Sequence, residues 1–535
     1  MHATTAETQH VLKQVRQAGP WLLARIEKLF GAAFTPAWNP LYHLGALTVF
    51  FFWVVVVSGV YVFLFFETSV THAYASVEWL THTQWYLGGV MRSLHRYASD
   101  AAVVTIGVHM LKEFVTGRYR GARWFSWFTG IPLLWLVFPL GITGYWLVWD
   151  QLAQYVAIAT SELLDVLPIF SDPMARNFLT NESVSDRFFT LMAFLHLIGL
   201  PVFLLFAIWL HLLRISRPVV NPPLGLAAGS LAALTVLSVL WPALSQAPAD
   251  FSQVATGIGF DWFYLLAYPL LDFGSPALVW LVLVGSSSVL CLLPWVPPRR
   301  RRPVAVVSLP DCNGCGRCVE DCPYNAVSLA PRSDGLAYAD EAVVDAELCT
   351  ACGICAGACP TATPLRRKSE LVPGIDLPGL PIRSLRDWTL AAAVQPGGEP
   401  GARVLVYGCA SGVNLAALRN SSVAVVELQC IAQLPPAFID FVISRRHADG
   451  VFLLGCREND CHFRLGVQWT NERLAGKRDP YLRQRVPRER VATYWGGQVT
   501  PAEIAAEINA FRARLRALGP YRPAPTASST DAVTP

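Results

Sequence analysis

The first 290 residues contain no cysteine; all 13 stand at Cys291 or later. Disulfide bracing of that long segment is excluded. The clustered thiols that follow read as metal ligands in a reducing compartment rather than as cross-links. Charge is also scarce: 15% of the 535 residues are Asp, Glu, Lys or Arg, against 53% hydrophobic, and the mean hydropathy is +0.39. That is too apolar for an ordinary soluble protein, and the length requires more than one domain. The net charge of +4 is small and says little about partners, and with no long basic run interleaved with aromatics, no nucleic-acid partner is expected. No glycine-rich dinucleotide motif and no hydrogenase-type metal site is present. The segment before Leu44 has charge and no apolar core, and no cleavable signal peptide is expected there.

What the chain has instead is length in apolar runs. Residues 44–66 carry no charge and are long enough to cross a bilayer. Further spans are expected near 92–115, 125–148, 188–213, 224–244 and 273–295, making six. Arg118, Arg120 and Arg123 lie in one loop, Arg214 and Arg217 follow the fourth span, and Arg299 to Arg302 follow the sixth. The alternate loops are acidic, with Glu67, Glu78, Asp150, Glu162, Asp165, Asp172, Glu182, Asp250 and Asp261. Positive loops stay inside, so both termini and everything after Pro303 are expected in the cytoplasm of an inner-membrane protein.

The expected organisation is an N-terminal interfacial segment (1–37), a membrane domain (38–298), a cysteine-rich module (304–368), a linker (369–402), a small α/β domain (403–516) and a disordered tail (517–535). Within the first, residues 11–34 mix apolar and basic residues at loosely helical spacing. They fit a helix on the membrane surface or a solvated helix broken near Gly19-Pro20.

Four histidines stand inside the apolar runs. His95 and His109 are fourteen apart, and His196 and His211 are fifteen apart. Fourteen residues is nearly four turns, so each pair shares a helix face with its members about 21 Å apart along the axis. Two such helices side by side offer two His–His levels, as two stacked bis-histidine haems require. A buried imidazole costs a few kcal/mol without a partner, and iron supplies one. Gly45 and Gly59, then Gly130 and Gly144, repeat the fourteen-residue interval on the first and third spans. A porphyrin needs close backbone approach, which glycine permits; small-residue helix packing is the alternative.

The run LHRYASDAAVVTIGVHMLKEFVTG, followed by WFTGIPLLWLVFPLGITGYWLVWDQ, resembles cytochrome b of the quinol-oxidising bc and b/f complexes, over about residues 38–296. The fifteen-residue gap in the second pair is closer to the shorter cytochrome b of the photosynthetic b/f complex. The resemblance implies a membrane all-α, six-helix bundle holding two haem b, by His95–His196 near the outer face and His109–His211 near the cytoplasm. Arg92 and Lys112 fall where that family places haem-propionate partners. It also implies a quinone as substrate and, by family alone, a homodimer. The family marks its outer quinol site with Pro-Glu-Trp-Tyr; here the residues are Phe260-Asp261-Trp262-Phe263. Asp261 stands in for the glutamate as proton carrier, or is a solvated loop acid. No Rieske-type ligand pattern is present, and at the cytoplasmic side Ser216 has no evident acidic partner. One quinone site per chain is expected, at the outer face.

Cys312, Cys315, Cys318 and Cys322-Pro323 read CxxCxxCxxxCP, and Cys349, Cys352, Cys355 and Cys359-Pro360 repeat it. This is the bacterial double-cluster ferredoxin pattern, in which the fourth cysteine of each run serves the other cluster. One 4Fe-4S cluster is assigned Cys312, Cys315, Cys318 and Cys359, and the other Cys349, Cys352, Cys355 and Cys322, within a ferredoxin-like α+β module. The three tight spacings and the Cys-Pro ends disfavour zinc. Cys409, Cys430, Cys456 and Cys461 form a third set. Three of them end or follow expected strands, so one sheet edge brings them together for a 2Fe-2S cluster or a zinc ion. GCASG and GCRENDCH, over about 403–515, resemble the delta subunit of methyl-viologen-reducing hydrogenase. That resemblance favours 2Fe-2S and implies electron exchange with heterodisulfide-reductase-like flavoproteins, although the family's extra cysteine is here Val406. Cys291 is read as a buried apolar residue, and His462 as a neighbour of the Cys461 centre or a surface residue. No Cys-x-x-Cys-His occurs, so covalent haem is not expected.

The expected function is a membrane electron-transfer subunit joining a cytoplasmic flavoprotein or hydrogenase-like enzyme to the quinone pool, the quinone-reactive part of an oxidoreductase complex. The alternatives are a non-catalytic membrane anchor that docks soluble Fe–S proteins, or a redox sensor, which would need an output domain that the α/β pattern does not show.

Overall fold

The computed structural model describes residues 19–168, 179, 184–296, 302–365, 370–393, 401–412, 415–496 and 500–521. Residues 11–18 of the expected surface helix, Asp172 and Glu182, Arg299 to Arg301, residues 369 and 394–400 of the expected linker and the tail beyond Tyr521 lie outside them; the rest of that linker is not featureless but holds a short strand at Ile375–Asp376 and a helix at Ile382–Ala393. The chain forms two compact units, Met1–Arg299 and Arg300–Pro535.

The first unit is helical. Its principal helices are α1 (Leu44–Phe63), α2 (Ala73–His82), α3 (Val90–Val115), α4 (Trp124–Val148), α5 (Gln151–Asp165), α6 (Asp186–Leu212), α7 (Leu224–Leu240) and α8 (Pro276–Leu292). Among the described residues, four stretches are long and apolar enough to cross a membrane: α1, α6, and the stretches Gly121–Val148 and Pro276–Trp295, which contain α4 and α8. Helix α3 carries Arg92, Arg96 and Asp100 in its first turns, and α7 has 17 residues. Each expected span is therefore a helix, but two of the six fall short on apolarity or length. Leu, Val, Ile and Phe dominate these helices on every face, so much of their surface is exposed apolar side chain, among it Trp53, Val57, Leu205 and Leu281. That is the pattern of a helix solvated by lipid.

Helix α1 packs along α3, and α4 packs along α6. Two further helices, α2 and α5, were not anticipated. Asp150 caps α5 by accepting the Ala153 N–H at 2.9 Å and also accepts the Gln246 N–H at 2.9 Å, which ties that end of the helix to the loop following α7. At the other end, residues 19–34 are helical. Glu27 on this helix is buried against Lys112.

The second unit contains two short antiparallel pairs: β1 (Val306–Val307) with β4 (Ile375–Asp376), and β2 (Val327–Pro331) with β3 (Asp340–Val344). A parallel four-stranded sheet follows, of β5 (Val404–Cys409), β6 (Val423–Leu428), β7 (Gly450–Gly455) and β8 (Val491–Trp495), in the order β6-β5-β7-β8. Strands β5 and β7 are buried at every position, as a parallel sheet covered on both faces requires. Short helices α9 (Arg317–Glu320) and α10 (Ile354–Ala358) lie in the cysteine-rich part. Helices α11 (Ile382–Ala393), α12 (Pro436–Ser444), α13 (Gly466–Leu474) and α14 (Pro501–Leu518) accompany the sheet. Phe511 on α14 is fully buried against Gly450 and Phe452.

Candidate metal centres

The membrane unit brings the four intramembrane histidines into two pairs. The rings of His95 and His196 have centroids 6.1 Å apart at 63°, and His109 lies within electrostatic reach of His211. A metal–imidazole bond is about 2 Å. Two rings bound to one iron from opposite sides therefore have centroids roughly 6 Å apart, and the His95–His196 pair matches that spacing.

Each histidine faces one of the four glycines. A Cβ on Gly59 would stand 2.8 Å from His95 Cε1, and one on Gly144 would stand 2.8 Å from His196 Cε1. At the other level the approaches are looser: 3.8 Å from Gly45 to His109 and 3.5 Å from Gly130 to His211. The glycines thus open the space in which the imidazoles sit, and any side chain at Gly59 or Gly144 would push its histidine out of place.

Three of these pairs share a further device. Nδ1 of His95 bonds the carbonyl of Val55 at 2.9 Å, and Nδ1 of His196 that of Leu140 at 2.9 Å. His211 bonds the carbonyl of Ser126. In each case the carbonyl lies four residues before the facing glycine. The hydroxyl directly before that glycine also stands beside Nδ1: Ser58 at 3.4 Å, Thr143 at 3.2 Å and Thr129 at 3.2 Å. A carbonyl accepts, so Nδ1 is the protonated nitrogen and Nε2 keeps its lone pair for a metal. The fourth pair departs from the pattern. Leu44 precedes Gly45, and the carbonyl of Leu41 is taken by Lys112 Nζ at 2.8 Å. The sequence reading passed over Ser58, Thr129 and Thr143, although a hydroxyl residue before three glycines at matched spacing was there to be seen. His196 sits in a π turn, Leu195–Gly199, a widening that recurs at functional positions in helices.

The two expected propionate partners are engaged within the protein. Lys112 is buried, pairs with Glu27 at 3.4 Å and lies over the Tyr42 ring. Arg92 donates to the hydroxyls of Thr81 and Ser245, and pairs with Glu78 at 3.5 Å. Asp261 is not a solvated loop acid: it is buried, with 5% of its surface exposed, and pairs with Arg96 at 2.6 Å. Arg96 reaches Asp100 at 3.5 Å and lies over the Tyr145 ring. Tyr264 adjoins this group and donates to the Ser99 carbonyl at 3.1 Å.

In the second unit the eight cysteines of the repeated motif sort into two crossed sets. Cys318 feels Cys312, Cys315 and Cys359. Cys352 and Cys355 feel Cys349 and Cys322. Cys322, Cys349, Cys352 and Cys355 line one cavity. Burial pushes the thiols of Cys318 and Cys352 up to about 12, with the neighbouring sulfurs adding to the shift. Four apolar-caged thiols without a cation are a poor environment for thiolate and a good one for a cationic iron core. The two repeats also share a backbone. Gly314 and Ala351 have φ of +64° and +54°, and Gly316 and Gly353 have +74° and +77°. These left-handed turns fold each CxxC back on itself so that its sulfurs share a side; Ala351 does so without glycine's freedom.

The third set lies at the carboxyl ends of the parallel strands: Cys409 ends β5, Cys430 follows β6, and Cys456 follows β7, with Cys461 in the same loop. Cys430 and Cys456 each lie within hydrogen-bonding reach of both Cys409 and Cys461, closing a ring. As acceptors Cys409 and Cys461 are held well below the usual thiol range, and as donors Cys430 and Cys456 are driven well above it. Gly466 lies against the sulfur of Cys430, where a side chain would intrude. Among the described residues, no group of three or more His, Cys, Asp or Glu side chains is spaced to hold a single metal ion. Cys291 lies on α8, within the apolar helix.

Fold and centres together define a helical membrane protein of haem-binding type joined to an iron–sulfur unit. Comparison with known proteins agrees. Residues 30–218 match the family model Cytochrome b/b6/petB, residues 311–363 the 4Fe-4S dicluster domain, and residues 404–519 the delta subunit of methyl-viologen-reducing hydrogenase. The cytochrome match ends before α7, so Asp261 lies beyond it. A solved structure titled "Hyperthermophilic respiratory Complex III" aligns with 48% of this chain and 75% of its own, at 18% identity and a TM-score of 0.40. The chain is an integral membrane protein, a membrane electron-transfer subunit with a cytochrome b region and a 4Fe-4S dicluster region.

Proposed function

We propose that this protein carries electrons between a cytoplasmic flavin- or Fe–S-containing dehydrogenase and the quinone pool, through one 2Fe-2S centre, two 4Fe-4S clusters and two haem b. The observation that carries the reading is the fourfold register of histidine and glycine: His95 with Gly59, His196 with Gly144, His109 with Gly45 and His211 with Gly130. His95 and His196 would hold one haem, and His109 and His211 the other. The crossed cysteine sets would hold the 4Fe-4S clusters in a ferredoxin fold, and Cys409, Cys430, Cys456 and Cys461 the 2Fe-2S centre. When bound, these groups supply reversible one-electron chemistry. The protein's part is to fix the imidazole tautomers, exclude water and crowd the thiolates.

Six helices, α1, α3, α4, α6, α7 and α8, would cross the membrane. The arginine-rich loops after α3 and α6 would place the termini and Fe–S domains in the cytoplasm. Asp261 would take and release the quinone proton at the outer face, held by Arg96 and backed by Asp100; a buried carboxylate beside a guanidinium can exchange a proton without leaving its site. The hydrogenase-delta-like domain favours 2Fe-2S over zinc and a flavoprotein or hydrogenase-like donor. The test is the spectrum of purified full-length protein. Dithionite should reveal two b-type haems per chain, and a quinone analogue should reoxidise them. Fewer than two protohaems per chain overturns the reading.

A further inference from the structure

The second unit places two of its three thiol sets side by side, and a buried arginine stands at the seam. Cys352, of one 4Fe-4S set, and Cys430, of the four-thiol ring, belong to a single buried cluster with Tyr324, Ile354, Phe463 and Trp469. The segments behind the two cysteines touch as well. A Cβ on Gly353 would stand 2.7 Å from Gln433, and Gly357 lies directly on the carbonyl of Ala432. Across this seam lies Arg473, with 1% of its side chain exposed. Its Nη1 donates to the Ala432 carbonyl at 2.9 Å, two residues from Cys430. Its Nη2 pairs with Asp321, the residue before Cys322, at 2.5 Å. Arg478 holds the other oxygen of Asp321 at 2.6 Å and stacks on Trp469. Trp469 Nε1 in turn donates to the Asp321 carbonyl at 3.1 Å.

A buried ion pair is weak evidence for stability, because desolvation offsets most of its attraction. Its charge acts strongly on whatever lies beside it in the same low dielectric. Centres that gain negative charge on reduction are sensitive to such a neighbour.

We propose that Arg473 sets the potential of an electron junction at which the centre of Cys409, Cys430, Cys456 and Cys461 exchanges electrons directly with the centre of Cys322, Cys349, Cys352 and Cys355. The set of Cys312, Cys315, Cys318 and Cys359 comes next in line, since Cys355 lies within reach of Cys318. The proposal rests on the ligand assignments of the proposed function and adds the order of the relay. At each transfer the donor centre loses one electron and the acceptor centre gains one. No bond forms or breaks, and the electrons come from a reduced flavin or equivalent two-electron carrier on the partner. Arg473 is a positioning and tuning residue.

The test is potentiometric titration of the full-length protein followed by electron paramagnetic resonance, on wild type, Arg473→Gln, Arg473→Lys and Asp321→Asn. In the reduced wild type the four-thiol centre and the Cys322 centre should broaden each other's signals. Arg473→Gln should lower the midpoint potentials of both and leave the haems and the Cys312 centre unmoved. Arg473→Lys should restore most of the shift. Asp321→Asn should move the Cys322 centre the opposite way, an opposition that general loosening of the fold would not produce. If Arg473→Gln loses iron, Arg473→Lys and Asp321→Asn still decide the matter by the sign of their shifts. Unchanged potentials in variants with full iron content overturn the proposal, as does broadening between the four-thiol centre and the Cys312 centre instead. A wild type with no iron at the four-thiol ring overturns the ligand assignment together with the junction, which distinguishes that failure from the others.

Discussion

At the residue scale, the tightest argument concerns the glycines. Gly59 and Gly144 approach their histidines so closely that one methyl group collides, whereas Gly45 and Gly130 leave ordinary contact distance. Under the proposed assignment, Gly59→Ala and Gly144→Ala should therefore each lose the haem of the His95–His196 level, leaving one protohaem per chain in a pyridine haemochrome assay. Gly45→Ala should retain two. The hydroxyls make a gentler prediction. Thr143→Val removes one neighbour of His196 Nδ1 but leaves the Leu140 carbonyl. Haem content should stay at two, and the midpoint potential of one haem should shift in an optical redox titration.

That the four histidines pair and that the cysteines gather in three sets was legible in the sequence, because ligand chemistry fixes residue type and spacing together. The hydroxyl-and-carbonyl latch was not read, because a serine or threonine on an apolar helix usually bonds its own backbone; Ser58, Thr129 and Thr143 do that as well as facing the rings. The propionate assignment of Arg92 and Lys112 rested on position in a family. Position does not reveal that Glu27, from a helix some eighty residues earlier, meets Lys112. The burial of Asp261 was likewise hidden, since its partner Arg96 lies 165 positions away and is acquired only on packing.

At the element scale, α14 and α11 carry predictions that spare the membrane unit. Phe511→Ala removes a fully buried ring between α14 and the parallel sheet, a loss of about 3–5 kcal/mol in comparable cores. The signal of the four-thiol centre should weaken and limited proteolysis should cut within 403–516, while the haem spectrum is unchanged. Asp376 accepts the Ile382 N–H at the start of α11 and is pushed up to about 6 by burial. A carboxyl raised in the folded state binds its proton more tightly there than in the unfolded chain. Its contribution is greatest below the ordinary value of 3.8 and is lost as pH rises through about 6. Asp376→Asn should flatten that part of the stability profile, followed as loss of iron–sulfur absorbance on heating between pH 4.5 and 6.5. A wild-type profile already flat in this window would exclude the effect. A helix was legible at each of the six expected spans, four of them by the simple composition rule that lipid imposes. α2 and α5 were not, because their mixed surfaces belong to neither a span nor a charged loop.

At the scale of the whole molecule, the division at residues 299 and 300 is the most consequential feature. A chain ending at Arg299 holds every histidine of the haem levels, and a chain beginning at Arg300 holds all the motif cysteines. The shorter membrane form should insert, bind two haems and be reduced by dithionite in detergent, yet fail to accept electrons from the partner dehydrogenase. Loss of haem on truncation would show that the units depend on each other for assembly. The order of modules could be read directly from composition, since apolar runs end where the cysteine motifs begin.

The hydrogen bonds from His95, His196 and His211 to helix carbonyls have one more consequence. Three of the four imidazoles are held by the helices themselves. A side chain fixed in this way has less rotational freedom to lose when it binds a ligand. Under the proposed haem assignment, His109, whose facing helix offers its carbonyl to Lys112 instead, would be the imidazole with the most to lose.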